Sequence, residues 1–201
     1  MRLIYDTHNY VDDEDLIAYH KNFFLTLDKN EKKIKPKISS GLKISVDLSY
    51  ENKVNAYVAK HNAPTLNFKK IKYHKVNDYW NIINVKNNQM IIKRDHFYIL
   101  KSKEKIYIPN DMAGEMIPYD TGIGDFRAHY AGFFDPGFGS KNGSYAVLEV
   151  KTNEIPFLLE DNQTIAKIKY EKLNKISDVI YGPKINSNYQ NQSLALSKHF
   201  V

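Results

Sequence analysis

Glu149 is the residue whose surroundings are hardest to reconcile with its charge. Val147 and Leu148 precede it and Val150 follows, so Ala146-Val-Leu-Glu-Val150 reads as an apolar strand interrupted by one acid. Two placements fit. Strand alternation can turn the side chain outward to solvent. Alternatively it stands in the wall of a partly buried pocket, where desolvation raises a carboxyl pKa and prepares the group to carry protons. Upstream lies Arg127-Ala-His-Tyr-Ala-Gly-Phe-Phe-Asp-Pro-Gly-Phe-Gly139, in which an apolar strand runs into a turn signal. Read plainly, Asp135-Pro136-Gly137 is a hairpin corner with Asp135 capping the turn. His129, on that apolar strand, reads as a packed, hydrogen-bonded residue before it reads as a ligand, since the seven histidines show no paired-ligand spacing. The lone Trp80, near Tyr79 and Ile82, reads as core. Neither Gly122-Ile-Gly124 nor Gly137-Phe-Gly139 leads into a helix, so neither is a phosphate loop.

The elements that position these residues follow from periodicity. Asp12-Asp-Glu-Asp15 precedes Leu16, Ile17, Tyr19, Phe23, Phe24 and Leu27, which recur at helical spacing, and acidic residues suit a helix N-terminus. The polar stretch from Asn30 to Ser40, with Pro36, reads as a linker. From Gly41 the period changes to two: Leu42, Ile44, Val46 and Leu48 alternate with polar residues. Further short strands are expected at Tyr57–Ala59, Met90–Lys93, Phe97–Leu100, Lys105–Ile108, Phe126–Tyr130, Tyr145–Val150, Ile155–Leu159 and Ile165–Tyr170. Many short strands separated by turn residues predict a mainly β chain, a compact barrel or sandwich with an N-terminal helix. The organisation expected is a helix and linker over residues 1–40, a β domain over 41–180 and a tail over 181–201, whose Gly182, Pro183 and Asn/Gln/Ser residues read first as flexible.

Composition narrows the chemistry. The 201 residues contain no cysteine, which excludes disulfides, thiolate redox chemistry and cysteine-ligated zinc. A formal charge of +6 would suit a polyanionic ligand, but the lysines are scattered and accompany no motif for a nucleic acid polymer. No apolar run reaches the roughly 18 residues of a membrane span, and the first residues lack the regions of a signal peptide, so the expectation is a cytoplasmic protein with no membrane partner.

Taken together, His129-Tyr-Ala-Gly-Phe-Phe-Asp-Pro-Gly-Phe, Val147-Leu-Glu149 and Glu154-Ile-Pro-Phe157 resemble the centre of the dCTP deaminases, nucleotide deaminases of the dUTPase-like β fold. The tail Ser187-Asn-Tyr-Gln-Asn-Gln192 through Leu196-Ser-Lys-His-Phe200 resembles the end of the long form, in which two related halves lie in one chain; Val11-Asp-Asp-Glu-Asp15 and Leu42 to Leu48 resemble its second half. The resemblance implies Glu149 as catalytic base and the Ala131 main chain as the carbonyl that orients the attacking water. It implies substrate contacts at Asp135, Val147, Leu148, Tyr181, Asn188 and Gln192, with Asp135 near the 3′-hydroxyl and the last three closing over the nucleotide. The implied ligands are dCTP and dUTP, with Mg2+ carried by the triphosphate, no zinc and no protein metal site.

Two departures bear on activity. The family's Ser-Ser-x-x-Arg motif is absent, as expected of a second half, and Met116-Ile-Pro-Tyr-Asp120 stands in its place. The family's tail lysine is Asn188 here. Three readings remain: a zinc-independent dCTP deaminase supplying dUTP for thymidylate synthesis, a dUTP diphosphatase of the same fold, and a non-catalytic or half-site fragment of a divided deaminase. The resemblance further implies a trimer-like homo-oligomer, or pairing with a separate first-half chain.

Overall fold

The structure is a computed structural model that describes residues 10–118, 126–129, 132–152, 156–182 and 193–201. In chain order the elements are α1 (Asp13–Asn22), β1 (Thr26–Leu27), β2 (Leu42–Ser45), β3 (Ala56–Ala59), α2 (Val76–Tyr79), β4 (Trp80–Ile83), β5 (Gln89–Ile92) and β6 (Phe97–Ile106), followed by β7 (Met112–Pro118), β8 (Phe126–His129), β9 (Phe133–Phe134), β10 (Ser144–Thr152), β11 (Phe157–Glu160) and β12 (Thr164–Lys172). The chain is mainly β with an N-terminal helix, as the change of period predicts.

Helix α1 begins where the acidic run places it. Asp12 is the N-cap, its carboxylate accepting the Asp15 amide at 2.8 Å, and Asp13, Glu14 and Asp15 fill the first turn. It stops at Asn22, short of the apolar spacing that runs to Leu27. Thr26 and Leu27 pair instead with Ile106 and Lys105 of β6, so sheet pairing overrides local periodicity there. The expected linker is tied down at both ends. The Asp13 carboxylate accepts the Ser40 and Gly41 amides at 2.7 and 2.8 Å, and the Ile34 amide donates to the Thr26 carbonyl.

All strand pairs are antiparallel, in a six-stranded sheet (β4-β3-β6-β10-β8, with β1 also on β6), a four-stranded sheet (β2-β12-β7-β9) and the pair β11-β5. Leu100, Leu148 and Val150 of the first meet Ile44, Ile168 and Tyr170 of the second in one core. The two runs expected at Phe97–Leu100 and Lys105–Ile108 are joined in β6, which reaches Ile106 across an irregularity facing Tyr145 and Val147. Ser102 stitches that bulge: its hydroxyl accepts the Ala146 amide at 2.9 Å and donates to the Glu104 carbonyl at 2.6 Å. Strand β7 was not anticipated, because Gly114 at its centre weakens a strand pattern. A Cβ there would stand 2.9 Å from Ile108 Cδ1 and 3.1 Å from Ile168 Cγ2, so a larger residue would require those side chains to shift.

His20, at the end of α1, is only 8% exposed, and its Nδ1 accepts the Leu25 amide at 3.1 Å. Burial, and then the charge of Lys33, holds its pKa below the ordinary imidazole value. A base lowered in the folded state adds stability that is fully present above its unfolded pKa of about 6.5 and is lost as pH falls below it. Thermal melts from pH 7.5 to pH 5 should therefore show a declining Tm in the wild-type chain and a shallower decline in His20→Gln; parallel slopes would remove His20 as a cause.

Candidate active site

Strand β10 alternates along its whole length: Ser144, Ala146, Leu148, Val150 and Thr152 are buried, whereas Tyr145, Val147, Glu149 and Lys151 are half-buried on the other face. Glu149 pairs with Ile99 on one side and His129 on the other, and Ile99 pairs in turn with Tyr57 of β3. This register sets Glu149 in the wall of a cleft of about 490 Å³ on the front of the six-stranded sheet. Of the two placements open to it, the geometry is the pocket wall.

Asp135, Val147 and Tyr181 line the same cleft. Leu148 does not, because alternation turns its side chain into the core, where it is 1% exposed; only its main chain could meet a ligand. Ala131, Asn188 and Gln192 lie outside the described residues, as do the side chains of Arg127 and His129.

The Asp-Pro-Gly run is a turn, and its glycine has a specific task. Gly137 adopts φ +90°, and a Cβ there would overlap the Ile180 side chain and approach the Tyr181 carbonyl oxygen at 2.8 Å. Its amide donates to the Ile108 carbonyl at 3.0 Å, and the Tyr181 amide donates to the Pro136 carbonyl at 3.0 Å. The turn thereby holds residues 180 and 181 against the cleft, with the Tyr181 ring 5.9 Å from that of Phe138.

Sequence reasoning missed two parts of the wall. Trp80, read as core, is half-buried on the edge strand β4 and lines the cleft with Phe97, Phe133 and Phe138. The chain end, whose composition reads first as flexible although the resemblance implies a tail closing over the nucleotide, is tied by main-chain bonds at Lys198, His199 and Val201. The Lys72 and His74 amides donate to the Lys198 and His199 carbonyls at 2.9 and 3.0 Å, and the Val201 amide donates to the His74 carbonyl at 2.9 Å. These bonds bring Ala195, Leu196, Ser197 and Phe200 to the cleft. The aromatic residues His74, Tyr79 and Phe200 are the signal that could have revealed this docking, since their rings cluster at 5.3 to 6.4 Å.

Electrostatically the cleft is one-sided. Its described lining holds two carboxylates, Asp135 and Glu149, among aromatic and aliphatic side chains, and no Lys, Arg or His. Such a wall suits a planar heterocycle that stacks on rings and presents N–H or O–H donors to the acids. A hollow of about 590 Å³ beside α1 is larger. Its lining includes Asp15, Asp111 and Lys172 beside Tyr19, whose phenol is pushed up by burial, and then by Tyr107 and Asp111, and stays protonated; fewer aromatic rings line it than line the Glu149 cleft. Among the described residues no three His, Asp or Glu side chains converge as a metal site, and no helix is long and apolar enough to cross a membrane.

Two substitutions separate the faces of β10. Leu148→Ala should cost about 2–5 kcal/mol of unfolding free energy through the cavity it leaves, while Val147→Ala should cost less and alter ligand affinity. Gly137→Ala should cost at least about 1–2 kcal/mol from its left-handed backbone alone. Chemical denaturation of the three variants checks the order.

Comparison with known proteins places the chain. Residues 12–200 match the family model described as 2′-deoxycytidine 5′-triphosphate deaminase (DCD), C-terminal domain. The crystal structure of 2′-deoxycytidine 5′-triphosphate deaminase from Agrobacterium tumefaciens matches with a TM-score of 0.75 and 35% identity, over 85% of this chain and 50% of that one. The chain thus spans about half the length of that deaminase. A search of curated proteins found no match. With the fold, the cleft and a family match over nearly its whole length in agreement, the chain belongs to the dCTP deaminase family as a C-terminal domain.

Proposed function

We propose that the chain forms the base-binding side of a dCTP deaminase that converts dCTP and water to dUTP and ammonia, with Glu149 as the catalytic base. The observation that carries this reading is the position of Glu149 on the half-buried face of β10, in an aromatic cleft shared with Asp135.

On this reading a water oriented by the Ala131 carbonyl gives a proton to the Glu149 carboxylate as its oxygen bonds to C4 of the cytosine, and Glu149 passes that proton to N3 of the ring. Glu149 then takes the proton of the new C4 hydroxyl and delivers it to the amino group, the C4–N4 bond breaks, and ammonia leaves as the C4 carbonyl forms. Asp135 accepts a hydrogen bond from the 3′-hydroxyl. Val147 and the Leu148 main chain flank the pyrimidine, and Tyr181, Asn188 and Gln192 close over sugar and phosphates. With no cysteine to hold zinc in the manner of other cytosine deaminases, the proton transfers rest on Glu149. The substrate is dCTP with its Mg2+, and the product serves thymidylate synthesis in the cytoplasm.

The triphosphate needs cations that the described lining does not contain. We assign them to a second polypeptide, either another copy in a trimer-like assembly or a first-half chain carrying Ser-Ser-x-x-Arg, because an arginine fork holds phosphate by paired, charge-assisted hydrogen bonds. The missing motif also favours a second reading, a half-site fragment inactive by itself. A dUTP diphosphatase is disfavoured by Glu149, where the resembling diphosphatases have an apolar residue.

Glu149→Gln should bind dCTP as the wild type does and lose roughly 10²–10⁴-fold in ammonia release. Wild-type turnover by the variant would sink the assignment of the base. Ammonia release by the chain alone should be weak and should rise when a first-half polypeptide is supplied, with sedimentation showing the larger assembly. Full activity of a monomer would overturn the composite site, and pyrophosphate release from dUTP would favour the diphosphatase.

A further inference from the structure

Among the described residues, Trp80 Nε1 is the one buried side-chain nitrogen or oxygen with no hydrogen-bond partner. An unmet buried donor gives up its hydration without return, so folded proteins rarely keep one without a reason. The indole is not deep in the core. Its ring is part of the wall of the cleft that holds Glu149. It is also the one described lining side chain that donates without being able to accept, so it requires an acceptor from whatever binds there.

The indole sits in an aromatic cluster. Tyr57, Phe97 and Phe200 surround the indole at centroid distances of 6.5, 6.2 and 6.1 Å. Tyr57 and Phe97 are fixed on β3 and β6 of the same sheet. Phe200 is the penultimate residue, held through an isolated parallel bridge to His74 and the neighbouring main-chain bonds. Of the three, it is the ring that can move without breaking a sheet.

We propose that Trp80 contacts the substrate, its indole N–H donating to an oxygen acceptor of the bound nucleotide once the Phe200 ring gives way. This rests on the cleft being the nucleotide site. Trp80 lies three strands from Glu149 in the order β4-β3-β6-β10 and two residues along β4 from Ile82, which the register sets in line with Glu149, about 14 Å across the sheet and about 7 Å along it. The acceptor therefore belongs to a part of the ligand away from the reacting C4: the O2 carbonyl, a pentose oxygen or a phosphate oxygen. Each of these ligand oxygens would supply the acceptor that Nε1 lacks in the free protein.

The chain has a single tryptophan, so its emission reports on this residue alone. Calorimetric titration with deoxycytidine and with dCTP and Mg2+, read beside tryptophan emission, tests the proposal on the 201-residue chain with and without a first-half polypeptide. Saturating ligand should change Trp80 emission in the wild type. Trp80→Phe, which keeps a ring and removes the donor, should bind about tenfold more weakly. Loss for both ligands places the acceptor on base or pentose, and loss for dCTP alone places it on phosphate. Phe200→Ala should bind no more weakly than wild type, and weaker binding would overturn the displacement of that ring. If the wild type binds and its emission is unchanged, or Trp80→Phe binds within twofold, the Trp80 assignment falls and the deaminase reading stands. If neither ligand binds in either condition, the reading of the cleft falls and the Trp80 assignment with it.

Discussion

The pairing register of β6 with β10 is the constraint on which the rest depends. Side-chain direction alternates along a strand, so a slip of one residue would carry Glu149 into the core and bring Leu148 out to the cleft. Both changes are costly, one burying a charge and the other emptying a core position. The register is held locally as well as by burial. Ser102 ties the β6 bulge to the Ala146 amide, Glu104 accepts the Ser45 amide at 2.9 Å, and Lys101 pairs with Asp47 at 2.6 Å with both side chains about a tenth exposed. These bonds cluster at the end of β10 before Val147. They leave the segment from Val147 to Lys151 in regular alternation opposite Lys101 to Phe97.

Around that strand the cleft is assembled from pieces distant in sequence. The Asp-Pro-Gly turn contributes Asp135 and, through the conformation only glycine adopts freely at Gly137, holds residues 180 and 181 beside it. The edge strand β4 contributes Trp80, and the chain end contributes Phe200. Glu149 sits on a central strand paired on both sides, whereas Phe200 is held by an isolated bridge and the main-chain bonds of the chain end.

How much of this was legible depends on whether the signal was local. The N-cap Asp12, the burial of Leu42, Ile44, Val46 and Leu48 and the Asp-Pro-Gly corner are written in neighbouring residues and could be read directly, although β2 ends at Ser45 and the polar Ser45 and Asp47 are buried as well. The lone acid in an apolar strand marked Glu149 as anomalous, but alternation alone could not decide between solvent and pocket wall. That choice belongs to what packs on the face, and Trp80, Phe97 and Phe200 come from three other places in the chain. Strand β7 was hidden for a related reason: Gly114 weakens a strand by local preference, yet it lies closely packed under the Ile108 and Ile168 side chains. The docked chain end carries a polar composition that suits a tail, and its order comes from main-chain bonds to His74 and its neighbours, which no composition reveals.

The charge of the cleft carries the synthesis one step further. The chain as a whole is +6, yet the charged side chains in the described lining of the cleft are only carboxylates, with Lys151 beyond Glu149 on the same face of β10. The overall basic balance is therefore not reflected in the described lining of this site. A nucleoside triphosphate presented to this wall by itself would set its phosphates against Asp135 and Glu149, an unfavourable arrangement in a partly desolvated cleft where charges are poorly screened. The aromatic and acidic wall can hold the heterocycle and pentose, while the anionic end has to be neutralised from outside it. On the proposed deaminase reading, such a wall would hold the base and pentose, and the positive charge that makes a triphosphate acceptable there would come from outside the described lining.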